Sequence, residues 1–179
     1  MKIKVDDIRD KARNLAFDEP AGDFPSLKEL QAAGDCAFQA PLSVDLTVYR
    51  EFDHIRVKGT VATRIRLSCS RCLADYESDL HSAFSLFFTP AGQTSPDEEE
   101  VELAEVDLVS ISYSGNEIDL APEIAEQVIM EMPLKPLCTE GCRGLCSRCG
   151  ADLNVGECGC ERGDINLKFS SLKDFKAEQ

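Results

Sequence analysis

Leu42-Ser-Val-Asp-Leu-Thr-Val48 and Ile55-Arg-Val-Lys-Gly-Thr-Val-Ala-Thr-Arg-Ile-Arg-Leu67 decide the fold. Leu42, Val44, Leu46 and Val48 alternate with polar neighbours, and Ile55, Val57, Val61, Ile65 and Leu67 carry the alternation on. A period of two sends one set of side chains to each face of a sheet, so this is a pair of strands with one buried face. Glu51-Phe-Asp-His54 supplies the hairpin connection, with His54 as a turn residue rather than a base. Gly59 stands where a bulge or bend is tolerated. Beyond Cys72 a third strand places Tyr76, Leu80, Ser82, Phe84, Leu86 and Phe88 on one side. Three strands without a long crossover predict an antiparallel meander or a barrel-like sheet rather than a parallel α/β fold.

Upstream of this core the signal is thinner. Ile3 and Val5 alternate with Lys2 and Lys4, enough for a short strand. Pro20-Ala-Gly-Asp-Phe-Pro25 reads as a turn, and Leu27 and Leu30 suit a short helix. Cys36, far from the other thiols, reads as a small hydrophobe. Downstream, Asp119 to Glu131 predicts a helix. Asp119 serves as cap, Pro122 fits the first turn, and Glu123 suits the positive end of the dipole. Leu120, Ala121, Ile124, Ala125, Val128, Ile129 and Met132 form a stripe that packs on the sheet, and Pro133 ends the helix.

Six thiols then fall within residues 138–160: Cys138, Cys142, Cys146, Cys149, Cys158 and Cys160. Cys146-x2-Cys149 followed by Gly150 has the spacing of a metal knuckle, in which two thiolates converge while a small residue lets the backbone turn. With no histidine nearby, the donor set predicts an all-sulfur tetrahedral Zn2+ site. Disulfides and an iron-sulfur cluster draw on the same residues. Cys69-Ser-Arg-Cys72 is a second Cys-x2-Cys element, open to reading as a metal half-site, a redox pair or a turn with free thiols. A single zinc built from the later cluster is favoured. The alternative is two sites, with Cys69 and Cys72 joining Cys138 and Cys142. The expected architecture is therefore α+β, a mostly antiparallel barrel-like or meander sheet with a packed helix and a C-terminal cysteine-rich zinc-binding unit. Its divisions are 1–136, 137–163 and a tail at 164–179.

Charge divides the chain unevenly. The net charge is −14; residues 1–90 hold 12 Lys and Arg against 14 Asp and Glu, and residues 91–179 hold 7 against 19. Seven acidic residues lie between Asp97 and Asp107 with no base among them. Such a protein is unsuited to non-specific capture of nucleic acid, which depends on cationic neutralisation, and a basic protein is the expected partner. One row runs the other way. Arg56, Lys58, Arg64 and Arg66 share one face of the second strand, and with Arg71, Arg143 and Arg148 near the thiols they are candidate contacts for RNA or for an acidic partner segment. A solvated face, or pairing with the chain's own carboxylates, is the plainer account of the row. No apolar run of membrane-spanning length occurs, and the first residues turn acidic before any hydrophobic stretch, so a cytoplasmic protein without membrane contact is expected.

Several motifs together resemble the YceD-like family of bacteria and plastids, the large ribosomal RNA subunit accumulation proteins. They are Cys69-x2-Cys72, Ile118-Asp-Leu-x-Pro122, Leu134-Lys-Pro-Leu-Cys138, and Gly144-Leu-Cys146-x2-Cys149-Gly-x2-Leu153-Asn154 leading to Cys158-x-Cys160. The family's tail looks like Asp followed by Pro-Arg and paired leucines, where this chain has Asp164-Ile165-Asn166, Leu172 and Phe175. The resemblance implies a part in ribosome biogenesis, in accumulation, processing or stability of large-subunit ribosomal RNA. It carries over no catalytic residue. The expected protein is thus a non-enzymatic factor that docks on a ribosomal protein or large-subunit precursor particle. Direct contact with ribosomal RNA is the runner-up, and a thiol-redox enzyme or metal-dependent nuclease is a distant third.

Overall fold

The computed structural model describes residues 1–8, 11–91 and 110–160. In chain order the elements are β1 (Lys2–Lys4), β2 (Arg13–Glu19), α1 (Pro25–Ala33), β3 (Ala37–Phe38), β4 (Leu42–Glu51), β5 (His54–Ser68), β6 (Asp75–Pro90), β7 (Ser110–Tyr113), β8 (Glu117–Asp119) and α2 (Ala121–Glu131). The main sheet runs β2-β4-β5-β6-β7, with β3 also paired to β5, while β1 and β8 form a separate two-stranded ribbon. All pairings are antiparallel except β6 with β7, which is parallel.

The meander expected from the alternation is β4-β5-β6. A barrel is not formed: among the described residues the sheet is open, with β2 and β7 as its two edges. Alternation fixes which face of a strand is buried, but closure also needs tilt and edge pairing that no single strand encodes. Leu42, Val44, Leu46 and Val48 of β4 and Ile55, Val57, Val61, Ile65 and Leu67 of β5 are buried on one side. The second helix covers that side with Leu120, Ile124, Ala125 and Val128, all buried, and α1 adds Leu27. Cys36 lies in this core as well, and burial, helped by nearby Asp35, raises its thiol pKa.

Gly59 differs from expectation. It makes no bulge: Leu46 and Phe84 are its direct partners in an unbroken register. A Cβ there would lie 2.9 Å from Phe84 Cζ and 3.0 Å from the Asp45 carbonyl oxygen, so the glycine lets two large neighbours meet over the strand. At the other end of β4, Glu51 pairs with His54 across the two-residue turn Phe52-Asp53, and Phe52 takes φ 54°. His54, expected in the turn, is instead the first residue of β5, because the turn needs only Phe52 and Asp53; it packs edge-on to Phe87. The helix Ala121–Glu131 begins one residue inside Leu120, and Asp119 Oδ1 accepts a bond from the Ala121 N–H at 3.0 Å. Its exit is extended at Met132, just before Pro133.

The pair β5-β6 matters most for the site. It is paired without a break from Ile55–Phe88 to Ser68–Asp75, roughly 45 Å at ~3.3 Å per residue. Its tip, residues 69–74, is the Cys69-x2-Cys72 turn. The ribbon therefore carries the first pair of thiols at its end.

Candidate metal centres

The turn at the ribbon tip is held by its backbone. The Cys69 N–H donates to the Ala74 carbonyl at 2.9 Å, and the Leu73 N–H donates to the Cys69 carbonyl at 2.9 Å. That closure forces Leu73 to φ 60°, a left-handed conformation unusual for leucine. The Ser70 N–H then takes the Pro136 carbonyl at 2.9 Å, which draws the segment after α2 to the tip and brings Cys138 with it. Four sulfurs meet here: Cys69 and Cys142 lie 3.7 Å apart, and Cys72 and Cys138 lie 3.6 Å apart. A second set, Cys146, Cys149, Cys158 and Cys160, gathers in the following loop. In each group the four ligand atoms all lie within 4.8 Å of one another.

The favoured expectation of a single group within the later cluster is thus replaced by two, in the grouping given as its alternative. Closeness in sequence favoured the wrong partners for Cys138 and Cys142. The Ser70–Pro136 bond, made across more than sixty residues, is what pairs them with the ribbon. The first group consequently joins the β-rich part of the chain to the cysteine-rich segment. Every cysteine is a free thiol, and separations of 3.6 and 3.7 Å are far beyond the ~2.05 Å of a disulfide.

The spacing suits one ion. Four thiolates bound at ~2.3 Å to a tetrahedral centre lie ~3.8 Å apart along each edge, close to the two distances of the first group. A multi-iron cluster places its irons between the cysteines and holds the sulfurs farther apart. All four positions of each group are thiols, and His54 and His81 sit elsewhere on the sheet. Protonation points the same way. N–H groups of Cys138, Cys72 and Arg71 lower the Cys69 pKa to about 6. At Cys72 the Ala74 N–H acts in the same sense, but burial and the surrounding thiols outweigh it and push the pKa up to about 12. In the second group the N–H groups of Cys149 and Arg148 lower Cys146 to about 6, while the thiols of Cys149 and Cys158 push Cys160 up to about 12. One thiolate forms readily in each group and the next is opposed by it. A bound dication removes that opposition.

The two turns are copies. Residues 69–75 read Cys-Ser-Arg-Cys-Leu-Ala-Asp and residues 146–152 read Cys-Ser-Arg-Cys-Gly-Ala-Asp. In the second turn the Cys146 N–H donates to Ala151 O at 2.8 Å, the Gly150 N–H donates to Cys146 O at 2.8 Å, and Gly150 has φ 74° where Leu73 has 60°. The flanking pair Ser68–Asp75 corresponds to Leu145–Asp152. A comparison of the chain with itself carries this signal, which spacing of thiols alone passes over.

A seam joins the two turns. Arg71 Nη1 donates to the Cys142 carbonyl at 2.7 Å, and the Arg71 carbonyl accepts the Leu145 N–H at 3.1 Å. Asn154 reaches back from the second loop: its Oδ1 accepts the Arg143 N–H at 2.7 Å and its Nδ2 donates to Cys142 Sγ at 3.5 Å. Asn154 is thus a neighbour of the first group contributed by the second.

The basic residues are mostly engaged. Arg56, Lys58, Arg64 and Arg66 do share the polar face of β5. However, Arg64 pairs with Asp79 at 2.7 Å, Arg56 with Glu51 at 3.1 Å while lying over the Phe87 ring, and Arg66 donates to Gln39 at 3.0 Å. Arg71 turns inward to the seam, and Arg143 pairs with Glu157 at 3.3 Å. Among the described residues Lys58 and Arg148 make no side-chain hydrogen bond or ion pair. The acidic run from Asp97 to Asp107 and the tail from Asp164 lie outside the described residues.

Fold and site together define a class: a β-rich α+β protein whose longest hairpin ends in one of two described four-thiol groups, each able to hold a metal ion. The chain belongs to the family of the large ribosomal RNA subunit accumulation protein YceD, whose model matches residues 57–176. Among curated relatives, a large ribosomal RNA subunit accumulation protein YCED homolog 1, chloroplastic, of Arabidopsis thaliana is 27% identical over 77% of this chain and 49% of its own length. Its counterpart in Zea mays is 28% identical over 71% of this chain and 51% of its own length. An uncharacterized protein of Mycobacterium leprae is 32% identical over 77% of this chain and 60% of its own length. The chain therefore spans about half the length of the plant relatives it matches. No solved structure matches it. Among the described residues no helix is long and apolar enough to cross a membrane.

Proposed function

We propose that this protein is a non-enzymatic ribosome-biogenesis factor that supports accumulation of large-subunit ribosomal RNA by docking on a basic ribosomal protein or a precursor particle. The observation that carries this reading is the all-thiol make-up of both groups: four thiols each, the leading Cys-x2-Cys of each held in a turn closed by two backbone hydrogen bonds. Zinc is the ion proposed for both. Cys69, Cys72, Cys138 and Cys142 would hold one, and Cys146, Cys149, Cys158 and Cys160 the other. Bound there, it would supply rigidity rather than a Lewis-acid centre, fixing a surface at the end of a long ribbon. The net charge of −14 supports a basic partner, since long-range attraction raises the rate of encounter with such a surface.

Direct RNA binding through the basic row remains the second reading, because the four β5 bases do lie on one face. Their ion pairs and hydrogen bonds count against it. A thiol-redox reading fits poorly with Cys69, which is wholly buried. The test is cosedimentation of the purified, zinc-loaded chain with large-subunit precursor particles across a salt series. Association at ~0.1 M salt that is lost by ~1 M, where screening acts within ~3 Å, is the expected result. Charge reversal at Arg64 and Arg66 should leave it in place. No association at any salt, or loss on that charge reversal, would count against protein docking.

A further inference from the structure

The first turn is itself a docking surface, and the chain uses it. The Ser70 N–H binds the Pro136 carbonyl, the Arg71 carbonyl accepts the Leu145 N–H, and the Arg71 guanidinium donates to the Cys142 carbonyl. The segment 142–145 that lies on it has Gly144 at closest approach, where a Cβ would stand 2.9 Å from the Arg71 carbonyl oxygen. The second turn repeats the sequence and backbone bonds of the first. Its corresponding groups, the Ser147 N–H, the Arg148 carbonyl and the Arg148 guanidinium, have no hydrogen-bond partner among the described residues, and both residues are exposed.

We infer that the second turn binds an extended polypeptide segment of a partner protein, with a glycine opposite the Arg148 carbonyl, in the way the first turn binds residues 142–145. Two features favour a polypeptide over RNA. In the matching turn the arginine guanidinium is spent on a peptide carbonyl, and the carbonyl of the same arginine accepts a peptide N–H, so both of its partners are backbone groups of a polypeptide. The glycine requirement follows from the close approach, since any Cβ at that position would collide with backbone. The inference rests on the docking role proposed above for the source of the segment, but not for the surface itself.

The surface is tested by nuclear magnetic resonance on the 15N-labelled, zinc-loaded full chain. The probe is an acetylated, amidated tetrapeptide Ala-Arg-Gly-Leu, which is the 142–145 sequence with alanine for its cysteine. The 142–145 segment makes two hydrogen bonds to the first turn, and two such bonds support a Kd no tighter than about 1 mM. Saturable shifts centred on Ser147, Arg148 and Cys149 are expected, weakened about tenfold by alanine at the glycine position and about tenfold by Arg148→Ala, which removes no internal contact. No saturable shift at those amides, equal binding of both peptides, or shifts produced only by a single-stranded oligouridylate would overturn the inference. Cosedimentation of Arg148→Ala with precursor particles supplies the second arm, with at least about a fivefold loss expected relative to the unaltered chain. Equal sedimentation of the two would overturn the inference and leave the docking role standing. If the unaltered chain does not sediment, the docking role falls and the peptide titration alone decides on the surface.

Discussion

Serine at both Cys69 and Cys72 is expected to remove one of the two proposed zinc ions and to free the segment from Pro136 to Leu145 from the ribbon tip. The remaining pair, Cys138 and Cys142, is a half-site, and two thiolates do not hold a structural ion. With it go the bonds Ser70–Pro136, Arg71–Cys142 and Arg71–Leu145, because these depend on the shape of the turn. The effect is large: apparent binding free energies of structural zinc in small peptides are about 10–16 kcal/mol, comparable with the whole stability of a domain, about 5–15 kcal/mol. It is also local. The thiol-centred cluster of Cys69, Cys72 and Cys142 is separate from the main core on the sheet's buried face, so the sheet should keep its amide-exchange protection. Limited proteolysis should then cut between residues 133 and 145. Serine at Cys146 and Cys149 should remove the other ion and leave that segment protected. Two ions retained in either variant would refute the assignment of ligands.

Gly144→Ala is expected to cost about 2–4 kcal/mol, well beyond the roughly 1–2 kcal/mol that left-handed backbone costs a residue with a Cβ. Gly144 has φ 73° and lies against the Arg71 backbone, whereas Gly150 has φ 74° and open space around it. Gly150→Ala therefore pays the conformational part alone. Release of the first ion to a competing chelator should be faster in the Gly144 variant than in the Gly150 variant. Equal release rates would show that the seam between the turns contributes nothing to holding the first group.

These two expectations also mark what the sequence could yield. Strands β4, β5 and β6 were legible because their apolar residues recur every second position over long stretches, and α2 because its stripe recurs at three and four. Strand β2 was not: Leu15 and Phe17 are only half-buried at a sheet edge, where one-sided pairing weakens the pattern. Strand β7 pairs in parallel with β6 after a long connection, and no local signal announces such a partner. The knuckle spacing picks out thiols that do gather, yet their division into two groups depends on a bond between Ser70 and Pro136 that local spacing does not encode. Alternation in β5 places the basic row on one face. What it lacked was the register, which sets Arg64 directly across from Asp79.

Everything said about function depends on two ions, each held by four sulfurs. Native mass spectrometry of the full chain, purified without added metal and under reducing conditions, tests this most directly. The expected spectrum is a compact charge distribution at the chain mass plus two zinc ions, less the protons displaced from the thiols. An equally compact chain carrying no metal would contradict the account.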